Sequence, residues 1–177
     1  MFRAVCAAAL CVAAISSAFA QGYPNKPIRL LVGYAPGGSA EAGARPLARV
    51  LEPLLGQPLI FEYRPGNAGG VAMEFMCCRN TKMECAVAYY GTYIEHNIRE
   101  AKNLHRPFML HMAMKDRWVQ AEVNELLERR LAPNPLVTIR KYPGADHAFA
   151  RHGGRTYSKP EADRALELSV AFFRRHL

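Results

Sequence analysis

Pro107-Phe108-Met109-Leu110-His111-Met112-Ala113-Met114 is an apolar run interrupted only by one histidine, and it stops at Lys115-Asp116. A short run without polar alternation, bounded by a proline and by charge, suits a strand buried on both faces, as in a parallel sheet. A comparable run lies on each side of it. Ala86-Val87-Ala88-Tyr89-Tyr90 comes before and stops at Gly91, and Leu136-Val137-Thr138-Ile139-Arg140-Lys141-Tyr142 comes after and stops at Pro143-Gly144. Between the second and third runs, Val119, Val123, Leu126, Leu127 and Leu131 recur at helical spacing. An acid, Asp116, stands just past one strand, and a histidine, His147, just past the next. In open α/β sheets, reactive groups sit in the crevice beyond the carboxyl ends of the strands. There a histidine can take a proton from a nucleophile, while the acid fixes its tautomer and stabilises the imidazolium.

Acid before histidine is the chain order of an α/β-hydrolase triad. Ala86-Val87-Ala88-Tyr89-Tyr90-Gly91, the Lys115-Asp116 strand end and Asp146-His147-Ala148-Phe149-Ala150-Arg151 together resemble the C-terminal part of the dienelactone hydrolase family, over about residues 77–177. The resemblance implies Asp116 as triad acid, His147 as base and Arg151 as a binder of the substrate carboxylate. It also implies a small anionic substrate, a carboxylate-bearing ester or lactone, and no cofactor or metal. The family's nucleophile is usually a cysteine in a Gly-x-Cys-x-Gly turn. Neither that motif nor Gly-x-Ser-x-Gly occurs in this chain, so hydrolysis is expected to be impaired.

The N-terminal part reads differently. Arg3, the apolar run Ala4 to Ile15 and the small-x-small site Ala18-Phe19-Ala20 make residues 1–20 an expected secretory signal peptide. The product is then exported and periplasmic, with a cytoplasmic location as the alternative. Next, Ile28 to Tyr34 reads as a strand, and Ser39 to about Leu55 as a helix that Pro46 should kink. Pro58 to Tyr63 reads as a second strand.

Tyr23-Pro24-Asn25-Lys26-Pro27-Ile28-Arg29, Ala35-Pro36-Gly37-Gly38-Ser39, Leu55-Gly56-Gln57-Pro58 and Arg64-Pro65-Gly66-Asn67-Ala68-Gly69-Gly70 resemble the start of the periplasmic receptors of tripartite tricarboxylate transporters, over about residues 21–75. The resemblance implies that Gly37, Gly38, Ser39, Gly69 and Gly70 line a ligand carboxylate. Glycine-rich turns that open a helix present unpaired N–H groups, which suits an anion. Two residues depart from that pattern: Glu41 stands for an aspartate, and Tyr63 for an asparagine.

The junction keeps a strand–turn–helix register, because Tyr63 ends a strand, 64–70 turn and Val71 to Cys78 reads as a helix. A nucleophile elbow has the same form. If Gly69-Gly70 takes the place of the two glycines after the nucleophile, the nucleophile slot falls on Asn67, whose amide is not competent to attack an ester. Cys77 and Cys78 lie about 15 Å further along a helix axis and cannot substitute. With Cys85 they are expected to be buried packing residues, a disulfide or reactive thiol at Cys85 being the alternative. His96 and His105 read as solvated, His111 as a satisfied core histidine, and Trp118, the only tryptophan, as a packing residue. Ser158-Lys159-Pro160-Glu161 is a capping-box sequence that opens a final helix.

The chain has 177 residues, half of them hydrophobic, and a formal net charge of +8. The basic residues are dispersed and no basic helix with interleaved aromatics occurs, which argues against a nucleic-acid partner. No stretch after the signal is long and apolar enough to span a bilayer. The expected fold is α/β, a three-layer arrangement of about five mostly parallel strands with helices on both faces, part of an α/β-hydrolase. The expected segments are 1–20 signal, 21–75 receptor-like βαβ, and 76–177 hydrolase-like. Three functions fit: an ester or lactone hydrolase remnant, an exported binding module for small carboxylates, or a gene fusion without selected function. N-terminal sequencing of the exported product is expected to begin at Gln21, and an intact Met1 on an intracellular product would overturn the export assignment.

Overall fold

A computed structural model describes residues 24–32, 36–63 and 83–177. The expected signal peptide, Asn67, Gly69, Gly70, Cys77 and Cys78 lie outside the described residues. Five strands are described, β1 (Ile28–Val32), β2 (Leu59–Tyr63), β3 (Ala86–Tyr89), β4 (Phe108–Ala113) and β5 (Val137–Tyr142). Three α-helices accompany them, α1 (Ser39–Leu55), α2 (Ala121–Leu131) and α3 (Lys159–His176). The fold is α/β, and each strand pairing is parallel. Among the described residues the strands divide into two sheets, β1-β2 and β3-β4-β5.

β4 is the central strand, and all six of its residues are buried. Side chains alternate across a strand, so its two faces enter two different cores. Phe108, Leu110 and Met112 join Ile94, Leu104, Leu127 and Leu131 on the side of α2. On that side the segment Glu95–Asn103, which the sequence reads as loop, forms a 3₁₀ helix. Its polar composition hides it, and none of its residues is buried. Met109 packs instead with Cys85 and Phe172 of α3. Helices therefore cover both faces of the three-stranded sheet. Each fully buried Leu or Phe here contributes on the order of 1.5–3 kcal/mol.

β1, α1 and β2 form a βαβ unit. Leu47, Ala48 and Leu51 of α1 pack with Leu59 and with Leu166, Val170 and Phe173 of α3. The N-terminal unit thus rests on the outer side of the last helix. α1 runs through Pro46 and Pro53 and ends at Gly56, whose φ of 65° is the left-handed conformation that favours glycine. The Ser158 hydroxyl bonds the Glu161 carboxylate and the Ser158 N–H goes to Phe149 O, so neither reciprocal bond of the expected capping box is made.

On the α3 side of β4, His111 is fully buried. Its Nδ1 lies 2.8 Å from the Tyr142 hydroxyl and its Nε2 3.0 Å from Ser169 Oγ, which is in turn 2.7 Å from the Tyr89 hydroxyl. Tyr89 stacks on the imidazole with centroids 4.5 Å apart. Burial, then the Arg140 charge, lowers the His111 pKa to about 3. The native state thus refuses a proton that the unfolded chain accepts below its ordinary value of about 6.5. Stability from this source is complete above pH ~6.5 and is lost as pH falls toward the folded value, by up to ~1.4 kcal/mol per pH unit. Urea unfolding of His111→Gln is expected to show a loss of about 1–3 kcal/mol at pH 7, where buried partners lose a bond. The gap from wild type should shrink progressively between pH ~6 and pH ~4.

Candidate active site

The loops after β4 and β5 lie side by side because the ladder continues past the strands. Met114 N–H donates to Tyr142 O at 3.1 Å, and Lys115 N–H to Ala145 O at 2.9 Å. One step further, Asp116 meets His147. Asp116 Oδ1 accepts the backbone N–H groups of Trp118 (2.8 Å) and Val119 (3.3 Å). That turn aims Oδ2 across the gap to His147 Nδ1, 2.9 Å away. The Asp116 side chain is 1% exposed and that of His147 22%. With Nδ1–H donated to the carboxylate, the neutral imidazole presents its Nε2 lone pair, the arrangement of an oriented general base.

A second pairing lies beside the first. Asp146 Oδ1 accepts the N–H of Arg117 (3.1 Å) and of His147 (2.6 Å). Asp146 Oδ2 accepts Arg117 Nε at 3.0 Å and also bonds Nη2. The Arg117 guanidinium, above all, holds the Asp146 carboxyl well below the usual carboxylate range. Ala148, next to His147, has φ 64°, a conformation that costs a non-glycine residue about 1–2 kcal/mol. It is fixed from both sides, by Thr156 Oγ1 on His147 O (2.5 Å) and by Ser158 N–H on Phe149 O (2.9 Å).

Tyr90 forms the wall. Its ring lies 4.9 Å from that of His147 and 5.5 Å from that of Phe149. Its φ is 39°, and a Cβ added at Gly43 of α1 would meet its hydroxyl at 3.9 Å. The N-terminal unit therefore reaches the site through Tyr90. Behind Asp116 is a void of about 10 Å³, lined among others by Tyr90, Met112, Asn124 and Leu127. That is room for about one water. Trp118, expected to pack, is 71% exposed because its backbone, not its ring, is committed to Asp116.

The other sequence candidates fall as follows. Arg151 is in the turn after His147, its N–H donating to Ala148 O at 2.9 Å. Gly37, Gly38 and Ser39 open α1, Gly37 at φ 79°. The Gly37 N–H is taken by Glu41 Oε2 at 2.8 Å. Glu41 is 6% exposed, also pairs with Arg45 and hydrogen-bonds Tyr63, and the Gly37 amide is the main cause of its lowered pKa. Cys85 is buried, which pushes its thiol up to about 12, so it is a poor nucleophile. Among the described residues no cluster of His, Cys, Asp or Glu suits a metal ion, and no helix is long and apolar enough to cross a membrane. Sequence reasoning missed Tyr90, Arg117 and Asp146. The one legible signal was charge of opposite sign at 117 and 146, each beside a dyad residue.

Residues 68–177, more than half of the chain, match the model of the dienelactone hydrolase family. The chain belongs to the dienelactone hydrolase family. A protein of Azospirillum brasilense provisionally named carboxymethylenebutenolidase is 37% identical over 108 residues, 61% of this chain and 47% of that relative. The chain thus spans about half the length of this relative. A second relative, Protein BugT of Bordetella pertussis, is 50% identical over 52 residues, 29% of this chain and 16% of that one. A crystal structure from Klebsiella pneumoniae, provisionally assigned as a dienelactone hydrolase, shares the fold with a TM-score of 0.56 at 23% identity. The match covers 75% of this chain and 61% of that one. Family membership places the chain among α/β-hydrolases.

The lowered pKa of Asp146 sets a pH window. Its contribution to stability is complete above the unfolded value of about 3.9 and is lost as pH falls through the lower folded value. Asp146→Asn is expected to lower Tm at pH 7 by the equivalent of ~1 kcal/mol or less, since the pair is partly exposed. Thermal melts should show that difference closing as pH drops below ~3.9.

Proposed function

We propose that this chain retains the acid–base pair of a dienelactone-hydrolase site without a competent nucleophile, so that hydrolysis of small carboxylate-bearing esters or lactones is impaired. Asp116 is the acid, His147 the base and Arg151 the binder of the substrate carboxylate. The hydrolase-like segment is 76–177, and the product is exported to the periplasm. The carrying observation is the 2.9 Å contact from His147 Nδ1 to the buried Asp116 carboxylate. It leaves Nε2 to take a proton from whatever attacks the carbonyl. With Asn67 in the nucleophile slot, the remaining attacker is water, deprotonated as it adds to the carbonyl carbon. Groups in such a unit act together, and loss of the nucleophile alone costs on the order of 10⁶ in kcat.

The alternative is an exported module that binds small carboxylates through Gly37, Gly38, Ser39, Gly69 and Gly70. The Glu41 carboxylate on the Gly37 N–H weighs against it, because that donor is already satisfied. A fusion without selected function fits the same chemistry as the impaired hydrolase and differs from it only in having no ligand.

Hydrolysis of an activated aryl ester and of a dienelactone is expected near background, with His147→Ala changing it little. Asn67→Cys should accept the acyl group from the aryl ester, as mass spectrometry would show. The adduct should vanish in Asn67→Cys/His147→Ala, because the imidazole activates the thiol. Robust wild-type turnover abolished by His147→Ala would overturn the impaired reading. Saturable binding of a dicarboxylate without turnover would favour the binding module.

A further inference from the structure

The geometry points to Arg117 and Asp146 as positioning residues that set the Asp116–His147 contact. This inference rests on the acid–base reading of Asp116 and His147. The two pairs are reciprocal: residue 116 meets 147, and 117 meets 146. Neither loop carries the contact alone. The Asp116 turn is closed by the amides of Trp118 and Val119, which orient one carboxylate but say nothing about the histidine loop. That loop contains a left-handed Ala148, one residue after His147. Asp146 is the group that touches both loops. One of its oxygens bonds the N–H of Arg117 and of His147 together, and the other receives the guanidinium fork. The His147 backbone is thereby referred to the residue next to Asp116.

A fork of this kind fixes direction as well as distance, which a single ammonium contact does not. The Arg117 side chain is 43% exposed and that of Asp146 24%, so the pair adds little to global stability. Its effect falls on local register, and the dyad is where register matters. Orientation losses of about 1 Å in such sites are costly far beyond their effect on stability.

The test reads the imidazole rather than activity. In the full-length ¹⁵N-labelled chain, in alkaline buffer, the wild type is expected to show His147 as a single Nδ1–H tautomer. A low-field Nδ1 proton, assigned by its absence in His147→Gln, should accompany it. In Arg117→Met and in Asp146→Asn that proton should exchange with solvent about tenfold faster, the scale of one lost charge-assisted hydrogen bond. The Nε2–H tautomer should also appear. Arg117→Lys should fall between, since it keeps the charge without the fork. Arg117→Met leaves every backbone contact of Asp146 in place, so it decides the question should Asp146→Asn fail to fold. An unchanged tautomer and exchange rate in Arg117→Met would overturn the inference. Absence of the Nδ1–H tautomer in the wild type would instead overturn the dyad itself, and the two failures are thereby distinct.

Discussion

A parallel strand buried on both faces can exist only with a strand along each edge and a helix over each face, because its backbone and its side chains both have to leave water. β4 is that strand, and the hydrolase-like part of the molecule is the set of elements that satisfy it. β3 and β5 supply its edges. α2 and the 3₁₀ helix cover one face, and α3 the other. The single polar side chain inside it, His111, is tolerated because both ring nitrogens find hydroxyl partners. The same requirement aligns β4 with β5, and the loops that follow them emerge in step. The acid–histidine contact is a by-product of that alignment, refined by the Asp116 turn and the Arg117–Asp146 pair.

Among the described residues, the N-terminal βαβ unit meets this framework by apolar contact and not by strand pairing. α1 offers Leu47, Ala48 and Leu51, and α3 answers with Leu166, Val170 and Phe173. Such contact is non-directional, so it constrains the N-terminal unit less than a shared ladder would. Packing on α3 needs only an apolar stripe of suitable width, whereas extending the sheet would need matched hydrogen-bond register. The close approach of Gly43 to Tyr90 shows that the accommodation extends to the edge of the site.

Much of the fold was legible in the sequence because long apolar runs and helical spacing report burial directly. β4, β5, α1, α2 and α3 follow from Phe108–Ala113, Val137–Tyr142 and the stripes around Leu51, Leu127 and Phe173. Polar composition hid the 3₁₀ helix, since a helix with no buried residue leaves no periodic signal. The division into two sheets was also hidden, because a strand's pattern shows which faces are covered and not which strand lies on its edge. At the site, Asp116 and His147 stood out as chemical types at strand ends. Tyr90, Arg117 and Asp146 did not, because their roles come from a backbone twist and from proximity across 29 residues. Trp118 misled in the other direction: its size suggested a buried anchor, but the backbone amide that Asp116 captures turns the ring to solvent.

The Glu41 carboxylate on the Gly37 amide has a consequence for what the N-terminal turn can sense. Both departures from the receptor pattern, Glu41 and Tyr63, are partners in one small cluster with Arg45. A tethered group competes at an effective concentration on the order of millimolar. A free metabolite present at micromolar levels would have to displace a carboxylate that never diffuses away. At the Gly37 amide the turn is closed to a diffusing anion. Its Gly37 donor serves the helix that follows it, and at that position the loop works as a cap.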